Sequence, residues 1–133
     1  MRHSSGRAVI AACGVAVALV VIPVLASPTS AFHLSLKRSA PGRDSIVSVA
    51  PRAITLWFTQ KPEIAVTTMS LQDANSTKVT LSAVRFGAAD ETIIVADIKG
   101  PMRPGLYTVQ WKTSSRDGHL VRGVFGFTVS GPK

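Results

Sequence analysis

Strict alternation of apolar and polar side chains is the feature that most limits what the second half of this chain can form. In residues 107–112 (Tyr-Thr-Val-Gln-Trp-Lys) every second side chain is large and apolar, and residues 119–129 repeat the pattern with Val and Phe. Successive side chains of a β-strand point to opposite faces, whereas a helix repeats every ~3.6 residues, so both segments predict half-buried strands. Helical periodicity is scarce elsewhere, and we expect an all-β protein.

Shorter segments extend this interpretation to the rest of the chain. Runs rich in β-branched or aromatic residues predict strands at 54–58, 65–71, 78–86 and 91–98, and clusters of Gly, Pro, Asn, Asp and Ser separate them. About seven short strands over roughly 100 residues predict an antiparallel β-sandwich of immunoglobulin-like shape. The chain has only one cysteine, so the Cys…Trp…Cys pattern of antibody domains is absent.

The first 32 residues differ from the rest and predict a secretory signal peptide. A basic start precedes an apolar, uncharged run at 8–26, and small residues follow as far as Ala31. This order is typical of a cleaved export signal. We expect the cut after Ala31 or Phe32, which leaves residues 33–133 as one domain that does not span the membrane. The alternative is a retained anchor, because the run approaches the ~20 residues that cross a bilayer.

Basic residues outnumber acidic ones, which raises the question of nucleic-acid binding. The chain has 15 Lys and Arg against 7 Asp and Glu, a formal net charge of +8 at pH 7. Beyond the predicted leader, Lys37 and Arg38 are the only adjacent basic pair. Nucleic-acid binding favours a clustered basic stripe with stacking aromatics. We therefore expect a solvated basic surface and no nucleic-acid partner.

Two histidines lie beyond the leader, and their surroundings predict a Cu(II) site. His33 falls at the expected start of the mature chain, where an α-amine and an imidazole can chelate together, and Asp117 and His119 flank a glycine. Cu(II) prefers such nitrogen and oxygen donors, whereas the sulfur that holds Cu(I) is limited to two distant methionines. If this segment is a strand, Asp117 and His119 share a face and point toward one ion. The alternative is that Asp-Gly-His is only a hairpin turn.

Several motifs, taken in order, resemble one known family. They are His-Leu at 33–34, Ser-Ala-Pro-Gly at 39–42, Ile-Thr-Leu-Trp-Phe at 54–58, Gly-x-Tyr-x-Val-x-Trp at 105–111, Ser-x-Asp-Gly-His at 115–119 and Gly-x-Phe-x-Phe-x-Val at 123–129. This order closely resembles the CopC-type copper resistance proteins of the bacterial periplasm. The resemblance implies a small Greek-key β-barrel or sandwich that binds Cu(II) through His33, Asp117 and His119. We expect one ion per chain and a monomeric protein.

The resemblance also implies a cellular role and a partner. The protein would be a periplasmic carrier or buffer in copper homeostasis and resistance, linked to an inner-membrane copper transport protein of the CopD type. One departure is Gln60, which stands where the family often has an acid, and Glu63 comes too late to replace it. A second departure arises if Phe32 is the first residue, because the chelate then uses the backbone nitrogen of His33.

Two other functional classes stay open. A copper-dependent oxidative enzyme can also pair an N-terminal histidine chelate with a second histidine on a β-sandwich. Such enzymes are usually larger and have a broad substrate face, so we expect no enzymatic activity here. The other class is a metal-free immunoglobulin-like interaction module, which predicts that Cu(II) leaves the thermal stability unchanged.

Overall fold

Two β-sheets packed face to face form the part of the protein that is described, residues 33–131 of the computed structural model. The predicted signal peptide and its cleavage point lie outside these residues. In chain order the described strands are β1 Leu36–Ala40, β2 Ile46–Val47, β3 Ala53–Phe58, β4 Thr68–Asp73, β5 Lys78–Val79, β6 Arg85–Phe86, β7 Ile93–Asp97, β8 Gly105–Ser114 and β9 Leu120–Val129.

The strand order confirms the predicted fold class. One sheet runs β1-β3-β7-β6 and the other β2-β9-β8-β4-β5, and neighbouring strands are antiparallel except for β2 beside β9. The protein is an all-β, immunoglobulin-like Greek-key sandwich. Within residues 33–131, no helix has the length and apolar character needed to cross a membrane.

The core lies between the sheets and is filled by alternate residues of the central strands. On β8 and β9 the buried side chains are those that the alternation predicts: Tyr107, Val109, Trp111, Phe125, Phe127 and Val129. They pack against apolar side chains of the opposite sheet, chiefly Ile54, Leu56, Phe58 and Ile94. Burying an aliphatic or aromatic side chain contributes roughly 1.5–3 kcal/mol, so this layer supplies most of the stability.

Tyr107 ties the start of β8 to the preceding loop. Its ring stacks on Phe127 with centroids 5.7 Å apart, and its hydroxyl donates a hydrogen bond to the carbonyl of Arg103 at 2.8 Å. A tyrosine that bonds back to the backbone a few residues upstream is typical of immunoglobulin-like sandwiches. The bond allows the phenol to be buried with its polar atom satisfied.

The predicted strand at 78–86 is broken in the structure. Only β5 and β6 at its two ends are strands, and they belong to opposite sheets. Between them Ser82 pairs with Asp97 of β7 through two hydrogen bonds, from the Ser82 amide to the Asp97 carbonyl and from the Asp97 amide to the Ser82 hydroxyl, both 2.8 Å. The chain therefore crosses between the sheets here, and a continuous strand cannot form.

The predicted strand at 65–71 begins later than expected. Residues Ile64–Val66 form a short 3-10 turn, and β4 starts at Thr68. The buried Thr67 hydroxyl is 2.7 Å from the Thr113 hydroxyl and 2.7 Å from the carbonyl of Glu63, to which it donates. These side-chain bonds stabilise the turn in place of strand pairing.

Gly123 has a specific packing role in β9, and its replacement gives a testable prediction. A Cβ atom at this position would lie 2.6 Å from Cζ2 and 2.8 Å from Nε1 of Trp111, the paired residue on β8. We expect Gly123→Ala to lower the free energy of unfolding by about 1–3 kcal/mol, because the indole must move within a packed core. Urea unfolding measures this loss.

Gly126 provides the matched control on the same strand. Its added Cβ would meet nothing closer than 3.4 Å, so Gly126→Ala should change stability much less than Gly123→Ala. Equal losses in the two variants would contradict a specific collision with Trp111.

Candidate metal centre

Asp117 and His119 lie in a tight turn that joins the two longest strands, β8 and β9. The Gly118 amide donates to the Ser115 carbonyl at 2.9 Å, and the Ser115 amide donates to the His119 carbonyl at 3.0 Å. Gly118 has φ of +87°, a left-handed conformation that glycine adopts most readily. The expectation of strand geometry is therefore wrong here, since the hairpin turn itself brings the two side chains together.

The carboxylate and imidazole of this turn are in direct contact. Nδ1 of His119 lies 3.1 Å from Oδ2 of Asp117, and the two side chains are 79% and 69% exposed. Nε2 of His119 makes no hydrogen bond to any described residue. A carboxylate that bonds one ring nitrogen orients the ring and leaves the other nitrogen available to a metal ion.

The Asp117 carboxylate is held in its ionised form. A hydrogen bond from the Ser115 hydroxyl, and then one from the His119 backbone amide at 3.3 Å, lower the pKa of Asp117 to about 2. Hydrogen bonds donated to a carboxylate favour its charged state. At neutral pH the turn therefore presents a negative oxygen donor beside an imidazole.

His33 is positioned by Thr59, at the end of β3. The Thr59 hydroxyl donates to the His33 carbonyl at 3.0 Å and accepts from the Ser35 amide at 2.9 Å. The Thr59 amide in turn donates to the Ser35 carbonyl at 2.9 Å. These three bonds fix the backbone that enters β1, so the exposed His33 lies at the same end of the sandwich as the β8–β9 turn.

One surface pocket of about 340 Å³ contains all three predicted ligands. His33 lines it together with Asp117 and His119, and Gln60 lines it as well. Glu63 does not, in agreement with the expectation that it comes too late in the chain. The amide of Gln60 therefore lies where an acid was expected, and adds a neutral oxygen to the pocket wall.

The three ligands share a pocket without being gathered into a closed cluster. Among residues 33–131, no three His, Cys, Asp or Glu side chains lie close enough together to hold a metal ion. The structure thus brings Asp117 and His119 into contact, while His33 lines the same pocket without joining that contact. A site formed by all three requires His33 to move toward the turn.

Sulfur donors are not part of this pocket. Met69 and Met102 are half-buried and pack against the core. The donors that line the pocket are imidazole, carboxylate and amide groups, a set that fits Cu(II) better than Cu(I).

Two residues that shape the site were not identified from sequence. Ser115 orients Asp117, and although it belongs to the Ser-x-Asp-Gly-His motif, no role was predicted for it. Thr59 follows the motif at 54–58 and belongs to none of the motifs, so no role was predicted for it. The Asp-Gly sequence predicts a turn, and a hydroxyl just before such a turn often forms a hydrogen bond within it. The role of Ser115 could therefore have been predicted from the sequence. The Thr59 bonds join residues 26 positions apart, which no local pattern reveals.

Comparison with known proteins shows the same fold and a matching family. The model of the CopC domain matches residues 36–130 of the chain, the greater part of its length. The chain belongs to the CopC family. Two crystal structures resemble it. CopC from Methylosinus trichosporium OB3b is 26% identical with a TM-score of 0.69, and PcoC, a methionine-rich copper resistance protein from Escherichia coli, is 32% identical with a TM-score of 0.66. They cover 76% and 74% of this chain, and it covers 97% and 99% of theirs.

Curated relatives are similarly distant in sequence. Copper resistance protein C of Xanthomonas campestris pv. juglandis is 30% identical over 118 residues, 84% of this chain and 91% of the relative. Protein YobA of Escherichia coli K12 is 27% identical over 105 residues, 79% of this chain and 85% of the relative. Copper transport protein CutJ of Bacillus subtilis is 24% identical over 111 residues, which are 84% of this chain but only 20% of CutJ.

Proposed function

We propose that this protein is a periplasmic Cu(II)-binding protein that carries or buffers copper in copper homeostasis and resistance. It binds one Cu(II) per chain through His33, Asp117 and His119, and it acts as a binding protein rather than as an enzyme. Copper is its cargo. The observation that carries the proposal is the contact between Asp117 and His119 in a pocket that His33 also lines.

The chemistry of the pocket supports Cu(II) as the ion. Two imidazoles and a carboxylate of low pKa are nitrogen and oxygen donors, which Cu(II) accepts in tetragonal geometry. Their exposure allows an ion to enter and leave, as a carrier requires. Binding closes His33 onto the Asp117–His119 pair, and Gln60 is near enough to the pocket to contribute an oxygen.

The relatives support a role in copper handling. Two of them are named as copper resistance proteins and one as a copper transport protein. In CutJ the segment similar to this chain is a fifth of a longer polypeptide. A domain of this kind therefore occurs joined to other parts of a transport protein, which supports our proposal that this chain passes copper to an inner-membrane partner of the CopD type.

The proposal includes removal of residues 1–32 on export, which leaves a domain of residues 33–133. The family match begins at residue 36, after this segment. A mature chain that begins at His33 offers its α-amine and imidazole together, and one that begins at Phe32 offers the His33 backbone nitrogen instead. The intact mass of the exported protein distinguishes the two starts.

The direct test is a Cu(II) titration of the purified metal-free protein. We expect one equivalent to bind and to raise thermal stability, because a ligand of the native state at 100 times its Kd stabilises by about 2.7 kcal/mol. For a domain of this size that corresponds to an increase in Tm of roughly 10–20 °C. Calorimetry gives the stoichiometry, and Mg²⁺ is the control ion because it prefers oxygen ligands. An unchanged Tm would favour the metal-free interaction module.

A further inference from the structure

A second groove of about 390 Å³ runs between β1 and β9, and its charges are all of one sign. Its exposed basic side chains are Lys37, Arg38, Arg43 and Arg122, and no Asp or Glu lines it. The hydrogen bonds from Thr92 are the main cause that lowers the pKa of Asp90, and the positive charge of Lys37 lowers it by a smaller amount. None of the four forms an ion pair with another residue of the described range. The groove therefore concentrates four basic side chains without an acid, while the other basic residues of the described range are spread over the rest of the surface.

Trp111 lines this groove and carries a hydrogen-bond donor without a partner in the described range. The residue is only 7% exposed, and its Nε1 edge lies over Gly123, which also lines the groove. The indole N–H donates to no acceptor among residues 33–131. Every fully buried side-chain nitrogen or oxygen in that range has a partner, so this N–H must be in contact with solvent. An unpaired neutral donor on a residue that lines the groove together with Arg43 and Arg122 matches an anionic acceptor.

The guanidinium of Arg38 is held in place over an aromatic ring. Its carbon lies 3.9 Å from the centroid of Trp57, a cation–π distance. Trp57 does not line the groove, so the guanidinium of Arg38 adds positive charge beside the groove rather than a contact inside it. Arg and Trp are also the residue types that contribute most to protein interfaces.

The groove continues directly from the metal pocket along the same two segments. His33 and Leu34 before β1 and residues 119–121 line the pocket, whereas Leu36 and residues 122–123 line the groove. β1 is also an edge strand, so one side of its backbone is not paired with another strand. An extended peptide fits such an edge, while a bilayer or a nucleic-acid duplex presents a broad surface rather than a chain narrow enough to enter.

We propose that the groove between β1 and β9 docks an extended acidic segment of a protein partner. Carboxylates of the segment accept hydrogen bonds from Arg43, Arg122 and the Trp111 N–H, and the segment lies along the edge of β1. Docking there places the partner beside the metal pocket, so the groove would align a copper-receiving protein. That last step rests on the proposed copper function, whereas peptide binding itself does not.

The test uses metal-free protein and a fluorescein-labelled hexaglutamate peptide. We expect saturable binding by fluorescence anisotropy and, on ¹⁵N-labelled protein with unlabelled peptide, a shift of the Trp111 indole N–H signal. The double variant Arg43→Gln/Arg122→Gln should bind at least about tenfold more weakly, because two charge-assisted contacts are lost. The control Arg52→Gln/Arg103→Gln has the same change in net charge at exposed positions away from the groove, and should bind like the original protein.

Three results would overturn the proposal. Equal weakening in both double variants would mean that only net charge attracts the peptide. Inorganic phosphate that competes as strongly as hexaglutamate would indicate a small-anion site. Tighter binding to phosphatidylglycerol vesicles than to the peptide, with phosphatidylcholine vesicles as reference, would indicate a membrane surface. Cu(II) titration of the original protein and of the same variants separates the two proposals. Absence of copper binding in the original protein would refute the copper function and leave peptide docking in the groove untouched.

Discussion

Replacing His119 with alanine is expected to abolish most of the Cu(II) affinity while leaving the fold intact. The His119 imidazole supplies the nitrogen atom of the β8–β9 turn that can bind a metal ion in the pocket. Asp117 already orients this ring. Loss of an outer-shell partner alone typically weakens metal binding 10–100-fold, so loss of the ligand itself should weaken it by about 100-fold or more. Competition with a chelator of known copper affinity measures the change.

The fold and the neighbouring position supply the controls for this variant. The His119 side chain is 79% exposed and its pair with Asp117 lies at the surface, so the free energy of unfolding without metal should change by less than about 1 kcal/mol. Leu120→Ala, at the adjacent exposed position, should retain copper affinity, because Leu120 lines the pocket but its side chain offers no nitrogen or oxygen ligand. Undiminished copper binding in His119→Ala would refute the assignment of this ligand.

Phe127→Ala is expected to cause the largest loss of stability. Phe127 is fully buried in the second half of β9, and its ring stacks on Tyr107 of β8. Truncating a buried phenylalanine typically costs about 3–5 kcal/mol, from lost transfer free energy and from the cavity left behind. Since small domains are stable by only about 5–15 kcal/mol in total, this variant should unfold at much lower denaturant concentration.

Val124→Ala is the matched control for Phe127→Ala. Val124 lies on the same strand but is 55% exposed, so its truncation should change stability by less than about 0.5 kcal/mol. Whatever fraction of Phe127→Ala stays folded should still bind Cu(II), because Phe127 does not line the pocket. A loss below about 1 kcal/mol in Phe127→Ala would contradict a core centred on the β8–β9 pair.

The central strands were predictable from sequence and the edges were not. β8 and β9 bury one face against the opposite sheet, and this demand produces the alternation visible in their residues. β1 is an edge strand of sequence Leu-Lys-Arg-Ser-Ala with an irregular register near Arg38, so it has no such pattern. The break at Ser82 depends on which sheet each end of the segment joins, and that information is not local.

The three residues predicted for the site line one pocket, whereas the geometry expected for two of them differs from the one observed. Family motifs identified His33, Asp117 and His119, and the structure lines one pocket with them. The contact between Asp117 and His119 follows from the conformation of Gly118 rather than from strand alternation. The basic groove could not have been predicted, because Arg43, in the loop after β1, and Arg122 of β9 are 79 positions apart and come to line one groove only in the folded sandwich.

The position of His33 before an edge strand has a consequence for the rate at which a bound ion leaves. Asp117 and His119 belong to the β8–β9 hairpin at the centre of its sheet, whereas His33 is held mainly by the hydrogen bonds to Thr59. Edges of sheets open locally at a fraction of the free energy of global unfolding. An ion held by all three ligands would lose one of them whenever β1 frays, so dissociation would follow this local opening while the hairpin stays folded.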